Sequence, residues 1–278
     1  TQRARAIEVV KGALHRPVES QYSDVEHDLC VLRASQAEGD PVARLRDDRA
    51  RVGEPVHAIG FIFGISPRFN TGEISALYDY DGGRVIQSTT PFSSGASGGG
   101  LFDDEGRVVG IVTFMSRAGA AYYFSLPVKW VKEALDRFRE QPVVPLKGTP
   151  FWQRPRDEQP YFLRTAALEA ENNWFGVVEL ARQWTRSEPE NPTSWFILGK
   201  AHQRLQQNDQ SIEAFRKAVT LDAAYSEAWY RLGLSYSKAG NAERIAQVHR
   251  VLQDLDTELA RKLATATREC SEATITNC

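Results

Sequence analysis

Apolar residues in the first half of the chain fall in short runs broken by turn residues, and in the second half they recur at helical spacing. The runs Arg5–Val10, Asp28–Leu32, Val56–Phe63, Gly72–Leu77, Val85–Ser88, Arg107–Phe114 and Ala121–Leu126 have the length and the Val, Ile and Phe content of strands. Between them, Asp81-Gly82-Gly83 and Asp104-Glu105-Gly106 carry the residues of hairpin turns, because Gly takes a positive φ without steric cost. The pattern predicts an all-β sandwich or barrel. A helix over 128–138 closes it, entered after Pro127 and apolar at 130, 131, 134, 135 and 138.

Pro142, Pro145, Pro150 and Pro155 then mark 140–157 as linker. From Tyr161 onward the sequence resembles itself at a shift of 34 residues, which aligns Trp195 with Trp229, Leu198 with Leu232, Gly199 with Gly233 and His202 with Tyr236. Sixteen of the 20 glycines lie in residues 1–150, so composition changes where the periodicity changes. The predicted organisation is a β domain over 1–139, a proline-rich linker over 140–157, helical repeats over 158–263 (units 158–191, 192–225 and 226–259) and a polar tail over 264–278.

Charge narrows the function classes. With 34 Lys+Arg against 36 Asp+Glu the formal charge is −2, which offers no electrostatic footprint for nucleic acid. The longest apolar stretch, Ala58–Ile65, is too short to cross a bilayer. His, Cys and Asp occur in no cluster with metal-ligand spacing, so neither a metal nor another cofactor is expected. Cys30 sits in an apolar run, whereas Cys270 and Cys278 lie in the polar tail, where they either pair or remain free thiols. The only Met is Met115, and an export signal upstream of Thr1 is neither implied nor excluded.

The repeat residues resemble the tetratricopeptide repeat. Trp195, Leu198, Gly199, Phe215 and Ala218 occupy its positions in 192–225, the unit 226–259 matches mainly in its first helix, and 158–191 is the weakest copy. The resemblance implies a solenoid whose first helices form a concave groove for a protein partner. Lys200, Gln203 and Arg204, with Arg231, Leu234 and Ser235, are expected to face outward there. Lys200, Arg204 and Arg231 are the candidate partner-binding cations for an acidic or C-terminal carboxylate. Reversing their charge is expected to leave the fold unchanged.

The β domain carries Gly95-Ala96-Ser97-Gly98-Gly99-Gly100, preceded by Ile86–Pro91 and followed by Leu101-Phe102-Asp103, a turn and Gly106–Thr113. A small-residue loop is the bland reading of such a segment. The context resembles the nucleophile region of trypsin-like serine proteases of the HtrA (Deg) type. Four further stretches, beginning at His27, Gly53, Gly72 and Phe124, are similar to other strands of that family, in family order. The resemblance implies a chymotrypsin-like double β-barrel with an incomplete first barrel, acting as a serine endopeptidase on protein substrates. It implies Ser97 as nucleophile and Asp28 as the residue orienting the base, with the N–H groups of Gly95 and Ser97 as the oxyanion hole. It also implies an exported, periplasmic setting.

The base is missing from the matched positions. Family order places a histidine upstream of Asp28, and counting back passes Thr1, so the given sequence is expected to begin after it. His15 reads as a surface-loop residue, His27 is adjacent to Asp28, and His57, His202 and His249 read as structural. Ala96 and Gly100 replace the family's usual residues, which leaves the loop more flexible. Near the expected primary pocket, Phe92–Ser94 and Val112–Phe114 include no acid, which favours cleavage after small or medium apolar residues. The alternative is an inactive protease domain serving as a binding platform.

Overall fold

The computed structural model describes residues 6–272 apart from 12, 36–38, 48, 63–65 and 117–121. The chain divides into two units, Thr1–Pro160 and Tyr161–Cys278. In the first, β1 (Glu8–Lys11), β2 (Leu14–Asp24) and β3 (Leu29–Ala34) form an antiparallel three-stranded sheet. Six further strands close into a barrel: β4 (Pro55–Ile62), β5 (Ser66–Tyr80), β6 (Gly83–Ser88), β7 (Gly100–Phe102), β8 (Val108–Ser116) and β9 (Tyr122–Pro127). Their order around the barrel is β4-β5-β6-β9-β8-β7, with every neighbouring pair antiparallel.

Alternation explains the closure. Val56, Ala58, Ile74, Leu77, Ile86, Leu101, Val109 and Val112 point inward and form one core, and closing the sheet leaves no unpaired edge. Helix α1 (Val128–Asp136) follows β9 and buries Trp130 and Ala134. Phe138, predicted inside it, lies just beyond its C-cap Arg137.

The eleven-residue β2 was not predicted. Its sequence, LHRPVESQYSD, is mostly polar and contains Pro17, and only Val18, Ser20 and Gln21 are buried along it. Backbone pairing to β1 and β3 holds this strand, and a hydrophobic pattern does not report backbone pairing. His15 accordingly lies on a strand rather than in a loop, exposed and 3.0 Å from the Glu8 carboxylate. The proline-rich stretch is not a free tether. Gln21 N–H donates to Gln141 O at 2.8 Å, its side chain donates to Val144 O, and Phe151, in a 3-10 turn over Phe151–Gln153, is fully buried.

The second unit is a run of helices: α2 (Tyr161–Ala170), α3 (Trp174–Ser187), α4 (Pro192–Arg204), α5 (Asn208–Leu221), α6 (Ser226–Lys238), α7 (Ala242–Leu255) and α8 (Thr257–Glu272). Asn173, Asn191 and Asn241 cap α3, α4 and α7 by accepting from backbone N–H groups that have no partner inside the helix. The 34-residue period reaches individual hydrogen bonds: Trp195 Nε1 donates to Pro189 O, Trp229 Nε1 donates to Ala223 O, and both are 2.9 Å. At Gly199 a Cβ would lie 2.7 Å from the buried Phe215 ring, so glycine there lets α4 and α5 approach. Residues 264–272, predicted as tail, continue α8. Cys278 and the side chain of Cys270 lie outside the described residues. Cys30 is a free, half-buried thiol.

Candidate active site

The glycine-rich segment joins β6 to β7 and lies against β4. Ala96 points into the barrel core, and a Cβ on Gly60 of β4 would stand 2.9 Å from it. A Cβ on Gly99 would lie 2.2 Å from Ile59 O, so contact with that carbonyl requires glycine. Gly98 N–H donates to Val112 O, Gly99 N–H to Ala96 O and Val112 N–H to Gly99 O, at 2.8, 2.9 and 2.8 Å. Ala96 N–H donates to Ser93 O at 3.1 Å. The loop is therefore pinned where the sequence suggested slack. Among the described residues the N–H groups of Gly95 and Ser97 have no acceptor. Ser97 is exposed, and its hydroxyl donates to Thr113 O on β8 at 2.7 Å.

Asp28 sits in the turn between β2 and β3, one residue before the strand on which it was expected. It has a left-handed φ of 57° and donates its N–H to Val25 O. The residue is solvent-accessible, but its carboxylate Oδ2 accepts the Trp152 indole N–H at 3.1 Å. Loss of hydration raises its pKa above the ordinary aspartate value, and the indole hydrogen bond works in the opposite direction. Ser97 and Asp28 are not hydrogen-bonded to each other; the structure relates them through Trp152, which stacks at 4.9 Å and 8° on Phe114, the neighbour of Thr113. Trp152 was missed because proline content marked its segment as linker. The adjacent large aromatics Phe151-Trp152 were the available signal.

No described histidine contacts Ser97. His27 lies 2.8 Å from Asp24 and 2.9 Å from Asp81 and packs on Trp130; His57 is held by Thr71 and Asp104 and stacks on Phe69. His202 is buried against Gln207, and burial lowers its pKa. Among the described residues no group of three or more His, Cys, Asp or Glu side chains could hold a metal. No described helix is long and apolar enough to cross a membrane. Phe92 and Phe114 of the expected primary pocket are buried, against Tyr123 in one case and Phe124 and Trp152 in the other.

The helical unit places the predicted cations in internal contacts. Lys200 Nζ meets the Glu169 carboxylate at 2.6 Å, and the Arg204 guanidinium lies 5.1 Å from the centre of the Trp174 ring. Arg231 pairs with Glu227 at 2.9 Å. Ser235, expected to face outward, is buried and hydrogen-bonded to Ser211, because α6 turns it toward α5.

The first unit thus combines a closed antiparallel barrel with an exposed serine in a glycine loop, and the second is a run of paired helices. Family models agree with this division. The trypsin-like peptidase domain matches residues 3–111 and the tetratricopeptide repeat matches residues 192–225. Several of the relatives are DegP-like or HtrA-type serine proteases. The chain is 32% identical over 130 residues to a probable periplasmic serine endoprotease DegP-like of Hahella chejuensis, covering 44% of this chain and 28% of that one. It is 33% identical over 147 residues to the chloroplastic Protease Do-like 1 of Arabidopsis thaliana, covering 46% and 33%. Among solved structures, the HtrA-type protease AlgW with decapeptide aligns at a TM-score of 0.43 and 28% identity, covering 48% of this chain and 45% of that chain. The matches thus span about a third or less of the two curated relatives.

Proposed function

We propose that the first unit is a serine endopeptidase acting on protein substrates and that the helical unit recruits a protein partner. The observation that carries the reading is the loop 95–99. There the N–H groups of Ala96, Gly98 and Gly99 are committed, whereas those of Gly95 and Ser97 are available to a developing oxyanion beside an exposed hydroxyl. In this mechanism Ser97 Oγ attacks the scissile carbonyl carbon as an imidazole takes its proton, and the tetrahedral oxyanion is met by the two N–H groups. Collapse expels the amine, protonated by the imidazolium, and water then hydrolyses the acyl-serine. Asp28 orients the imidazole. Specificity is for small or medium apolar residues, and the setting is exported, like that of the periplasmic relatives. Lys200, Arg204 and Arg231 are the cations offered to an acidic partner segment, which would compete with Glu169 and Glu227 for two of them.

One observation favours a second reading, a binding platform without turnover: the Ser97 hydroxyl donates to the Thr113 carbonyl rather than to a base. One experiment separates the two readings. For the enzyme, Ser97→Ala abolishes peptide hydrolysis and labelling by a fluorophosphonate probe. Labelling that is absent in the wild type, or unchanged in the variant, refutes it.

A further inference from the structure

The turn that carries Asp28 is held residue by residue from two directions. From the barrel and α1, Tyr80 OH donates to the Glu26 carboxylate, Asp81 lies 2.9 Å from His27, and Trp130 of α1 packs on the His27 ring. From the segment that follows α1, Phe151 N–H donates to Glu26 O at 3.1 Å, Arg154 pairs with the Glu26 carboxylate, and Trp152 reaches Asp28. That segment is itself fixed. Phe151 is fully buried among Tyr80, Phe114 and Trp130, and Gln159 Nε2 donates to the carbonyls of Trp152 and Arg154.

The geometry points to Trp152 as a positioning residue for Asp28, the indole N–H fixing one carboxylate oxygen while its stack on Phe114 ties it to the strand that holds Ser97. The inference rests on the reading of Asp28 as the residue that orients the base. A carboxylate has lone pairs enough for two donors, so an indole at Oδ2 leaves Oδ1 for an imidazole N–H. A carboxylate on a short turn has rotational freedom about χ1 and χ2, and one directional donor on a buried aromatic stack removes much of it. The other ionisable side chains around this turn, Asp24, Glu26, His27, Asp81 and Arg154, lie against each other or against Tyr80, and among the described residues Trp152 is the side-chain donor to Asp28. The hydrogen bond favours the ionised carboxylate, which burial disfavours.

The test is carboxyl-carbon and indole-proton NMR on the full chain, with Trp152→Phe, which keeps a ring to stack and removes the N–H. In the wild type the Trp152 indole proton is expected to titrate with the midpoint of the Asp28 carboxyl. In Trp152→Phe the Asp28 midpoint is expected to move upward. An indole proton that ignores the Asp28 titration, or an unchanged midpoint in the variant, overturns the inference, and the wild-type measurement decides even if the variant folds poorly. Neither measurement needs turnover, so the inference fails or stands separately from the protease reading. Where hydrolysis is measured, Trp152→Phe should displace the acid limb of kcat/KM to higher pH, with a loss of about tenfold at acid pH for each unit of displacement. A merely structural role would lower kcat/KM equally at all pH.

Discussion

Replacing Gly99 by Ala separates steric from conformational control of the glycine-rich loop that carries Ser97, with Gly98→Ala as its counterpart. Gly98 has a φ of 89° and nothing within 4 Å of a Cβ, so alanine there meets only the left-handed backbone penalty, roughly 1–2 kcal/mol. Gly99 has no such φ, but its Cβ would stand 2.2 Å from Ile59 O and 2.9 Å from Ala96 O, where ordinary contact begins at 3.4 Å. Both obstacles are backbone, one on a barrel strand paired to β5 and β7, so relief requires a shift of about 1 Å and a cost at or above about 3 kcal/mol, the upper part of the range for overpacking. The shift must loosen the bonds Val112 N–H to Gly99 O and Gly98 N–H to Val112 O, which pin the loop. Hydrogen exchange at those two amides is the assay, because a second unit in the chain makes one global unfolding midpoint ambiguous. Gly99→Ala should speed exchange at Val112 and Gly98 at least about 5-fold to 30-fold more than Gly98→Ala does at Val112, the ratio of a difference of about 1–2 kcal/mol. On the proposed protease reading, fluorophosphonate labelling at Ser97 should fall with it, since displacing an oxyanion donor costs about 10²–10³ in rate. Equal protection at Val112 in the two variants would refute the claim that close approach, rather than φ, shapes this loop.

Two further outcomes follow from the helical unit. Lys200→Ala should destabilise it by about 3–5 kcal/mol, read by urea unfolding of the helical circular dichroism, because it strands a buried Glu169 whose Oε1 already lacks a partner; a loss under about 1 kcal/mol would mean the pair behaves as an exposed one. Charge reversal at Lys200 is therefore not neutral to the fold, contrary to the expectation from sequence. Burial lowers the pKa of His202 below its ordinary value, so the unfolded state takes up its proton first. Stability should be fully present above the ordinary value of 6.5 and fall as pH drops below it; His202→Gln should flatten that slope, and an unchanged slope would refute the assignment.

What was legible in the sequence was whatever burial writes into it. The barrel strands alternate because one face is core, and the helical repeat shows its period because Gly199 and Gly233 must admit Phe215 and Leu263 wherever two helices meet. The small residues of the loop 95–100 have the same kind of reason: Ala96 faces the core and Gly99 a carbonyl, so their size is dictated by space. Strand β2 was illegible because its stability lies in ladder bonds and in Gln21, whose side chain reaches a carbonyl 123 residues away, and neither leaves an apolar pattern.

The illegible part of the site has a single physical origin. Asp28 could be placed by its neighbours Leu29–Leu32, but what orients its carboxylate comes from residues that are local neither in sequence nor in pattern: an indole on a 3-10 turn in a stretch that proline content marks as linker. Proline in that stretch fixes φ and removes N–H donors, which suits an extended strap over a sheet as well as it suits a tether. The two cases differ only in whether the aromatic residues between the prolines find a buried surface. Phe151 finds one beneath Tyr80, Trp130 and Phe114, and once it is seated, Trp152 on the next residue can reach both Phe114 and Asp28. A large apolar side chain inside a polar, proline-punctuated segment costs hydration wherever it is left exposed, so two adjacent ones are a sign of docking that composition averages away.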